Sequence, residues 1–197
     1  MPAASLDDRL AVWIATHRYA PLNDAFVWLG TIDKIGAVWV ALALVVAVVQ
    51  RRRVVEALGL AALTALTVFA ADSVSFGVKD LFHRERPFAA HPAIHPLYSV
   101  HSSSFPAGHA ATAFAGATLL SYLALRATPA FVALAVAIAY SRIYVGVHYP
   151  SDVLAGAGIG VLVGIVAILA LAIGRNLGLA RLLDRVPRRM QFAGRGS

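Results

Sequence analysis

Three features of the residues predict an all-α fold, a polytopic bundle of about five membrane-spanning helices preceded by a helix lying in the membrane interface. Of the 197 residues, 59% are hydrophobic and only 14% charged, and the mean hydropathy is +0.73, whereas a soluble domain is closer to half apolar and a quarter charged. Apolar segments of roughly 20 residues, enough to cross the hydrocarbon core as helices, recur from about residue 25 to the C-terminal tail. The net charge of +7 is concentrated at segment ends and in one loop. That distribution argues against a nucleic-acid partner and for a membrane protein. No cysteine is present, which excludes disulfides, thiolate metal sites and a cysteine nucleophile. One integral-membrane domain accounts for the whole of residues 1–197.

In chain order, residues 1–20 supply the interfacial helix. Ser5 and Asp8 form an N-cap pair, and Leu6, Leu10, Trp13 and Ile14 follow on one helical face. A helix packed on the bundle explains the same pattern equally well. The acidic start, with no small-residue cleavage site after a long apolar core, predicts a segment that is retained and not a cleaved signal. Spanning helices are expected at 25–50, 54–78, 107–125, 128–147 and 152–174, which makes 25–174 the bundle. Thr31, Asp33 and Lys34 fall inside the first span. A charge at mid-bilayer costs about 2.5–3.5 kcal/mol, so these residues belong near an outer end or against protein.

Orientation follows from Lys and Arg in short loops, which favour the cytoplasm. Arg51, Arg52 and Arg53 follow the first span, Arg126 links the third and fourth, and Arg175, Arg181, Arg185, Arg188 and Arg189 follow the fifth. All three groups land on one side, and the basic tail 175–197 is expected to rest on anionic lipid there. Residues 79–106 and 148–152 then meet at the opposite, outer face.

Three polar stretches converge on that face. KDLFHRERP carries Lys79 and Arg86 two helical turns apart, with Pro87 closing the segment. Alone this is an ordinary basic flank, but Lys79, Arg84 and Arg86 stand on the side that the inside bias disfavours, and an anionic ligand explains that better than anchoring. SSSFPAGHA then leads into the third span, with Pro106 suited to a first turn and Gly108 permitting close approach to helix-start amides. A helix N-terminus of this kind seats a phosphate, and His109 stands on it. The third stretch, SRIYVGVHYPSD, places Arg142 at the end of the fourth span, His148 in a short turn, and Asp152 in the first turn of the last helix. From there Asp152 can reach back to the imidazole, fix its tautomer and leave the other nitrogen as nucleophile or base. Singly, each stretch also reads as a cap or an interfacial polar residue.

Together the three resemble the signature of the type 2 phosphatidic acid phosphatase superfamily of membrane lipid phosphatases and soluble vanadium haloperoxidases. The family pattern runs Lys, six residues, Arg-Pro; then Pro-Ser-Gly-His; then Ser-Arg, five residues, His, three residues, Asp. Lys79 to Arg86-Pro87 and Ser141-Arg142 to His148 and Asp152 match completely, whereas Pro106-Ala107-Gly108-His109 departs at Ala107, where the family has Ser. One hydroxyl contact to phosphate is thereby lost, and Ser104 is the candidate to replace it. The resemblance implies that His148 attacks phosphorus to give a phosphohistidine, that Asp152 holds its ring, and that His109 protonates the leaving oxygen and later activates water. Lys79, Arg86, Arg142 and the backbone around Ala107 and Gly108 would hold the phosphoryl oxygens, with no metal and no cofactor. The expected substrate is a lipid phosphate or pyrophosphate whose tail stays in the bilayer: phosphatidic acid, phosphatidylglycerol phosphate or polyprenyl pyrophosphate. A phosphotransferase of the same family, or an anion transporter using the basic cluster, would use many of the same residues. Metal binding by His91, His95 and His101 is the weakest reading, given irregular spacing and no nearby carboxylate.

Overall fold

The computed structural model describes residues 5–33, 36–98 and 100–184, with side chains up to residue 176. Among these, all regular structure is helical. The elements are α1 (Leu6–Thr16), α2 (Asn23–Ile32), α3 (Ala37–Val49), α4 (Val54–Lys79), the single turn α5 (Pro87–Ala90), α6 (Gly108–Leu123), α7 (Thr128–Tyr144) and α8 (Pro150–Asp184).

α6 forms the axis, packed against α8, α7 and α4. Its buried positions are mostly alanine, with Gly116, and such small residues let helices come close where no water drives them together. α8 answers with Gly156, Gly160 and Gly164, spaced by four and therefore on one face. A Cβ at Gly156 would collide with the Ala107 carbonyl, and one at Gly160 with that of Ala111, so the two backbones touch. Beneath the site the core is built on Trp39 with Val68, Leu120, Phe131 and Ile138, and the indole lies directly on Gly116.

Among the described residues, three helical stretches are long and apolar enough to span a bilayer: Val54–Lys79, Leu125–Tyr144 and Pro150–Asn176. The span expected at 25–50 is instead a bent pair, α2 and α3, whose axes differ by 75° and which brings the count to four if taken together. The break has a physical origin. Asp33 ends α2 with its carboxylate turned into protein, accepting from Trp39 Nε1 and Thr112 Oγ1, both at 3.0 Å, and Gly36 takes the left-handed φ of 70° before α3 starts. Thr31 stays exposed, and Lys34 lies outside the described residues. The span expected at 107–125 is the 16-residue α6, surrounded by the other helices. The fold is thus the expected helical membrane bundle, with three spans, or four with the bent pair, by length and composition among the described residues.

α1 starts as expected, with Ser5 and Asp8 forming a reciprocal capping box. Its apolar face is divided, however. Ile14 packs inward beside the buried Ala11 and Ala15, while Leu6 and Trp13 are 63% and 60% exposed. Ala11, Ile14 and Ala15 make the contact with the bundle and leave Leu6, Leu10 and Trp13 outside it.

Gln50 Nε2 donates to Leu123 O at 2.9 Å, joining the ends of α3 and α6. Arg51 to Arg53 and Arg126 therefore share one end of the bundle. At the other end the close of α4, the start of α6, the close of α7 and the start of α8 come together, carrying the three polar stretches. Of the basic tail, residues 185–197 lie outside the described residues.

Candidate active site

His148 sits in the turn between α7 and α8, where Gly146 adopts φ 85° and lets the chain reverse within five residues. The ring is 5% exposed. Its Nδ1 stands 3.5 Å from Asp152 Oδ2, one turn along the sequence, and its Nε2 lies 3.4 Å from Arg86 Nη1. A guanidinium can only donate and a carboxylate can only accept. The pair of neighbours therefore favours the tautomer with its proton on Nδ1 and its lone pair on Nε2. Burial, reinforced by the charges of Arg86 and Lys79, lowers the pKa of His148 to about 4 against the pull of Asp152, so the ring is neutral at physiological pH.

Arg86 is held rigidly. Nε donates to Ser102 O at 2.7 Å, Nη1 to Val147 O at 2.7 Å, and Nη2 to Ser102 Oγ at 3.0 Å and Ser103 O at 3.2 Å. Lys79, at the last turn of α4, donates to Ser103 O at 2.9 Å. The loop 102–104 thus draws both cations of the first stretch towards His148. Arg142 is buried at the end of α7 and donates to Tyr98 Oη at 2.7 Å, Ser141 Oγ at 2.8 and 2.9 Å, and Phe26 O at 3.1 Å.

His109 stands on the first turn of α6, its Nε2 3.2 Å from Gly30 O. Since a carbonyl only accepts, Nε2 carries a proton. With Arg142, Tyr98, Val27, Gly30 and Thr31 it lines a cavity of about 360 Å³. Ala107 is the fully buried residue preceding α6, and its amide donates to Asp152 O at 2.9 Å. Gly108 and His109 follow as the first helical residues, whose amides have no acceptor within the helix.

Ser104, the expected replacement for the hydroxyl absent at Ala107, is fully buried, and its Oγ donates to Asp152 Oδ2 at 2.5 Å. The hydroxyl thereby braces the carboxylate that faces His148. His91, His95 and His101 do not converge. His91 faces Asp8 at 3.2 Å, and among the described residues no trio of His, Asp or Glu could hold a metal.

Asp7, Tyr98 and Gly30 have no place among the residues the sequence singles out, and Arg84 enters there only as a member of the outer basic cluster, yet all four border the site. Arg84 joins Asp152 Oδ1 and Asp7 Oδ2, each at 2.7 Å. Gly30 is required because any Cβ there would overlap the Arg142 guanidinium. The sequence signal for Arg84 was its place on the outer face between Lys79 and Arg86; the other three come from distant segments.

The site residues from Lys79 to Asp152 lie within a stretch that matches a known family model. The PAP2 superfamily model covers residues 56–173. The chain belongs to the PAP2 superfamily. Among PAP2 relatives it resembles the decaprenylphosphoryl-5-phosphoribose phosphatase of Mycobacterium tuberculosis, 40% identical over 129 residues, 64% of this chain and 67% of that protein. It also resembles the lipid A 1-phosphatase of Rhizobium johnstonii, 40% identical over 83 residues, 41% of this chain and 32% of that one. The crystal structure of Aquifex aeolicus LpxE superposes with a TM-score of 0.71 at 28% identity, covering 85% of this chain and 98% of that chain. These relatives and the apolar helices make it an integral membrane protein whose named PAP2 counterparts include lipid phosphatases.

Proposed function

We propose that the protein is a lipid phosphate or pyrophosphate phosphatase that removes a terminal phosphoryl group through a phosphohistidine on His148. The observation that carries this is the placing of His148 between Arg86 and Asp152, 3.4 Å from Nε2 and 3.5 Å from Nδ1. A neutral ring with its lone pair on Nε2 is a nucleophile, and Asp152 stabilises the imidazolium that forms as it attacks.

The Nε2 lone pair makes the N–P bond as the bond from phosphorus to the lipid oxygen breaks. His109, on the α6 turn beside the cavity, takes up a proton to become the imidazolium as the dianionic phosphate binds beside it, and donates that proton to the leaving oxygen, returning to the neutral ring. Water then attacks phosphorus, His109 takes its proton, and the N–P bond breaks to release phosphate and restore His148. Lys79, Arg86, Arg142 and the amides at Gly108 offset the charge spread over the phosphoryl oxygens. Ser104 supports Asp152. No metal enters the scheme.

The cavity beside His109 and the exposed α2 face at Thr31 suit a head group entering from the bilayer. Phosphatidic acid, phosphatidylglycerol phosphate, polyprenyl pyrophosphate and a polyprenyl-linked phosphosugar of the kind named for the mycobacterial relative form the substrate set. The basic end faces the cytoplasm of a bacterial plasma membrane and the site the outside. In the cysteine-free chain, Ala89→Cys should react with an impermeant thiol reagent in intact cells and Leu125→Cys should not.

Purified protein in detergent, given that panel of lipids, should release inorganic phosphate with EDTA present and stop with vanadate. Transfer of the phosphoryl group to a lipid acceptor in place of water would identify a phosphotransferase. Absence of phosphate release and of transfer from every lipid would sink the enzymatic reading and favour anion transport.

A further inference from the structure

Asp152 carries more partners than orienting one imidazole requires. Oδ2 accepts from Ser104 Oγ at 2.5 Å and Tyr149 N at 2.9 Å, and Oδ1 accepts from Arg84 Nη1 at 2.7 Å. The same Nη1 reaches Ser151 Oγ at 2.7 Å, and Nη2 reaches Asp7 Oδ2 at 2.7 Å. Asp7 in turn caps α8 from another helix: its Oδ1 accepts from the Ser151 amide at 2.9 Å and its Oδ2 from the Ser151 hydroxyl. The Arg84 guanidinium lies 4.0 Å over the Tyr149 ring. A continuous chain of contacts therefore runs from α1 to the ring of His148.

We infer that Arg84 and Asp7 are positioning residues for the His148 nucleophile, and that α1 is thereby a working part of the active site. The inference rests on His148 being the nucleophile. Its physical reason is charge balance. A carboxylate beside an imidazole orients the ring but also favours its protonation, which would destroy the lone pair. A cation on the far side of that carboxylate removes the second effect and keeps the first. Arg84 supplies the cation with a planar fork that holds Asp152 and Asp7 together, and Asp7 stops the fork from turning away. The charged and titratable groups facing His148 are Asp152 from α8, Arg86 from the 80–86 connection, Lys79 from α4 and His109 from α6; Arg84 acts behind Asp152. Burial opposes the charge on Arg84, but Asp7 and Asp152 together outweigh it and raise its pKa, so the fork is permanently charged.

The test uses the full-length protein in detergent with 4-nitrophenyl phosphate, following the rapid phosphorylation burst from pH 4 to 8. Each variant is divided by wild type at the same pH, so that substrate ionisation cancels. Arg84→Gln should lower the burst rate at pH 8 by roughly tenfold, from loosened orientation, and move the acid midpoint up by about one pH unit, from an unbalanced Asp152. Arg84→Lys, charged but without the fork, should restore the midpoint more than the rate. Asp7→Asn keeps an acceptor for Ser151 and should lower the rate with a smaller change in midpoint. A purely structural role would reduce folded yield and leave the burst per folded molecule and its midpoint unchanged; that result overturns the inference. If Arg84→Gln does not give monodisperse protein, Asp7→Asn decides alone: a wild-type burst rate overturns the inference. A phosphoenzyme formed by His148→Ala, or no burst from wild type, would instead refute the nucleophile on which this rests.

Discussion

Trp39 Nε1 donates to Asp33 Oδ1 at 3.0 Å, and Thr112 Oγ1 closes the other oxygen at the same distance. This contact joins the break in the first span to α6, three residues beyond His109, and α2 on the near side of the break supplies the Gly30 carbonyl that receives His109. Asp33 thus helps to hold the partner of the second histidine. Thr112 Oγ1 keeps the His109 carbonyl at 3.1 Å, but Asp33→Ala would orphan the buried Trp39 Nε1 donor at about 1–3 kcal/mol. It should lower the thermal midpoint in detergent and cut phosphate release, whereas Asp33→Asn, keeping an acceptor for the indole, should fold close to wild type. Equal loss in both variants would mean that charge, and not the acceptor, is what matters at this position.

Gly30 isolates the effect of displacing Arg142. A methyl group there overlaps the guanidinium, which must then leave Phe26 O or Tyr98. Because misplacement by about 1 Å can cost about 10² in rate, Gly30→Ala should lose activity on that scale, while a gel-filtration profile like that of wild type shows the bundle intact. Near-normal turnover would mean that Arg142 is not needed where it stands.

The α6 and α8 contact offers an internally controlled test of packing. Gly158 and Gly160 share one helix, yet a Cβ at Gly158 meets nothing within 4 Å while one at Gly160 strikes the Ala111 carbonyl. Gly160→Ala should therefore destabilise by about 1–3 kcal/mol through overpacking, and Gly158→Ala should be neutral or slightly stabilising. Unfolding midpoints of the two variants, compared in the same detergent, check the difference; equal midpoints would show that the helices can separate freely.

Much of this was legible in the residues. Runs of apolar residues located the helices, and the spacing of Lys79 to Arg86, Arg142 to His148 and His148 to Asp152 anticipated what meets at one end, since spacings within a stretch survive folding. Contacts between distant stretches were not legible. Asp33 looked like a charge to be placed near a membrane surface, and only its meeting with Trp39 and Thr112 turns it into a break in a span. Leu6, Leu10, Trp13 and Ile14 shared a face by periodicity, but which part of that face turned inward depended on Ala11 and Ala15 fitting the bundle. Ser104 was near enough in sequence to substitute for a missing hydroxyl, yet Asp152, from 48 residues further on, claims it.

The pH dependence of the burst separates the burial of His148 from its partnership with Asp152. Attack needs the neutral ring. An unperturbed histidine, with a pKa of about 6.5, would lose its lone pair through the slightly acid range, whereas burial sets that of His148 at about 4. The wild-type burst, corrected for ionisation of the nitrophenyl phosphate, should therefore stay level from pH 8 down to about 5 and fall only as pH approaches 4. The same shift has a stability consequence with a definite sign. The unfolded chain binds a proton at His148 below about 6.5 while the folded chain refuses it down to about 4, so this group destabilises the fold progressively between those values and not above them. Removing the carboxylate tests the two effects together. Asp152 raises the pKa of His148, so Asp152→Asn should move the acid midpoint no higher than in wild type, yet lower the burst at every pH because the ring has lost its anchor. A wild-type midpoint near 6.5 would mean that the attacking ring is solvated, which is incompatible with His148 in this site.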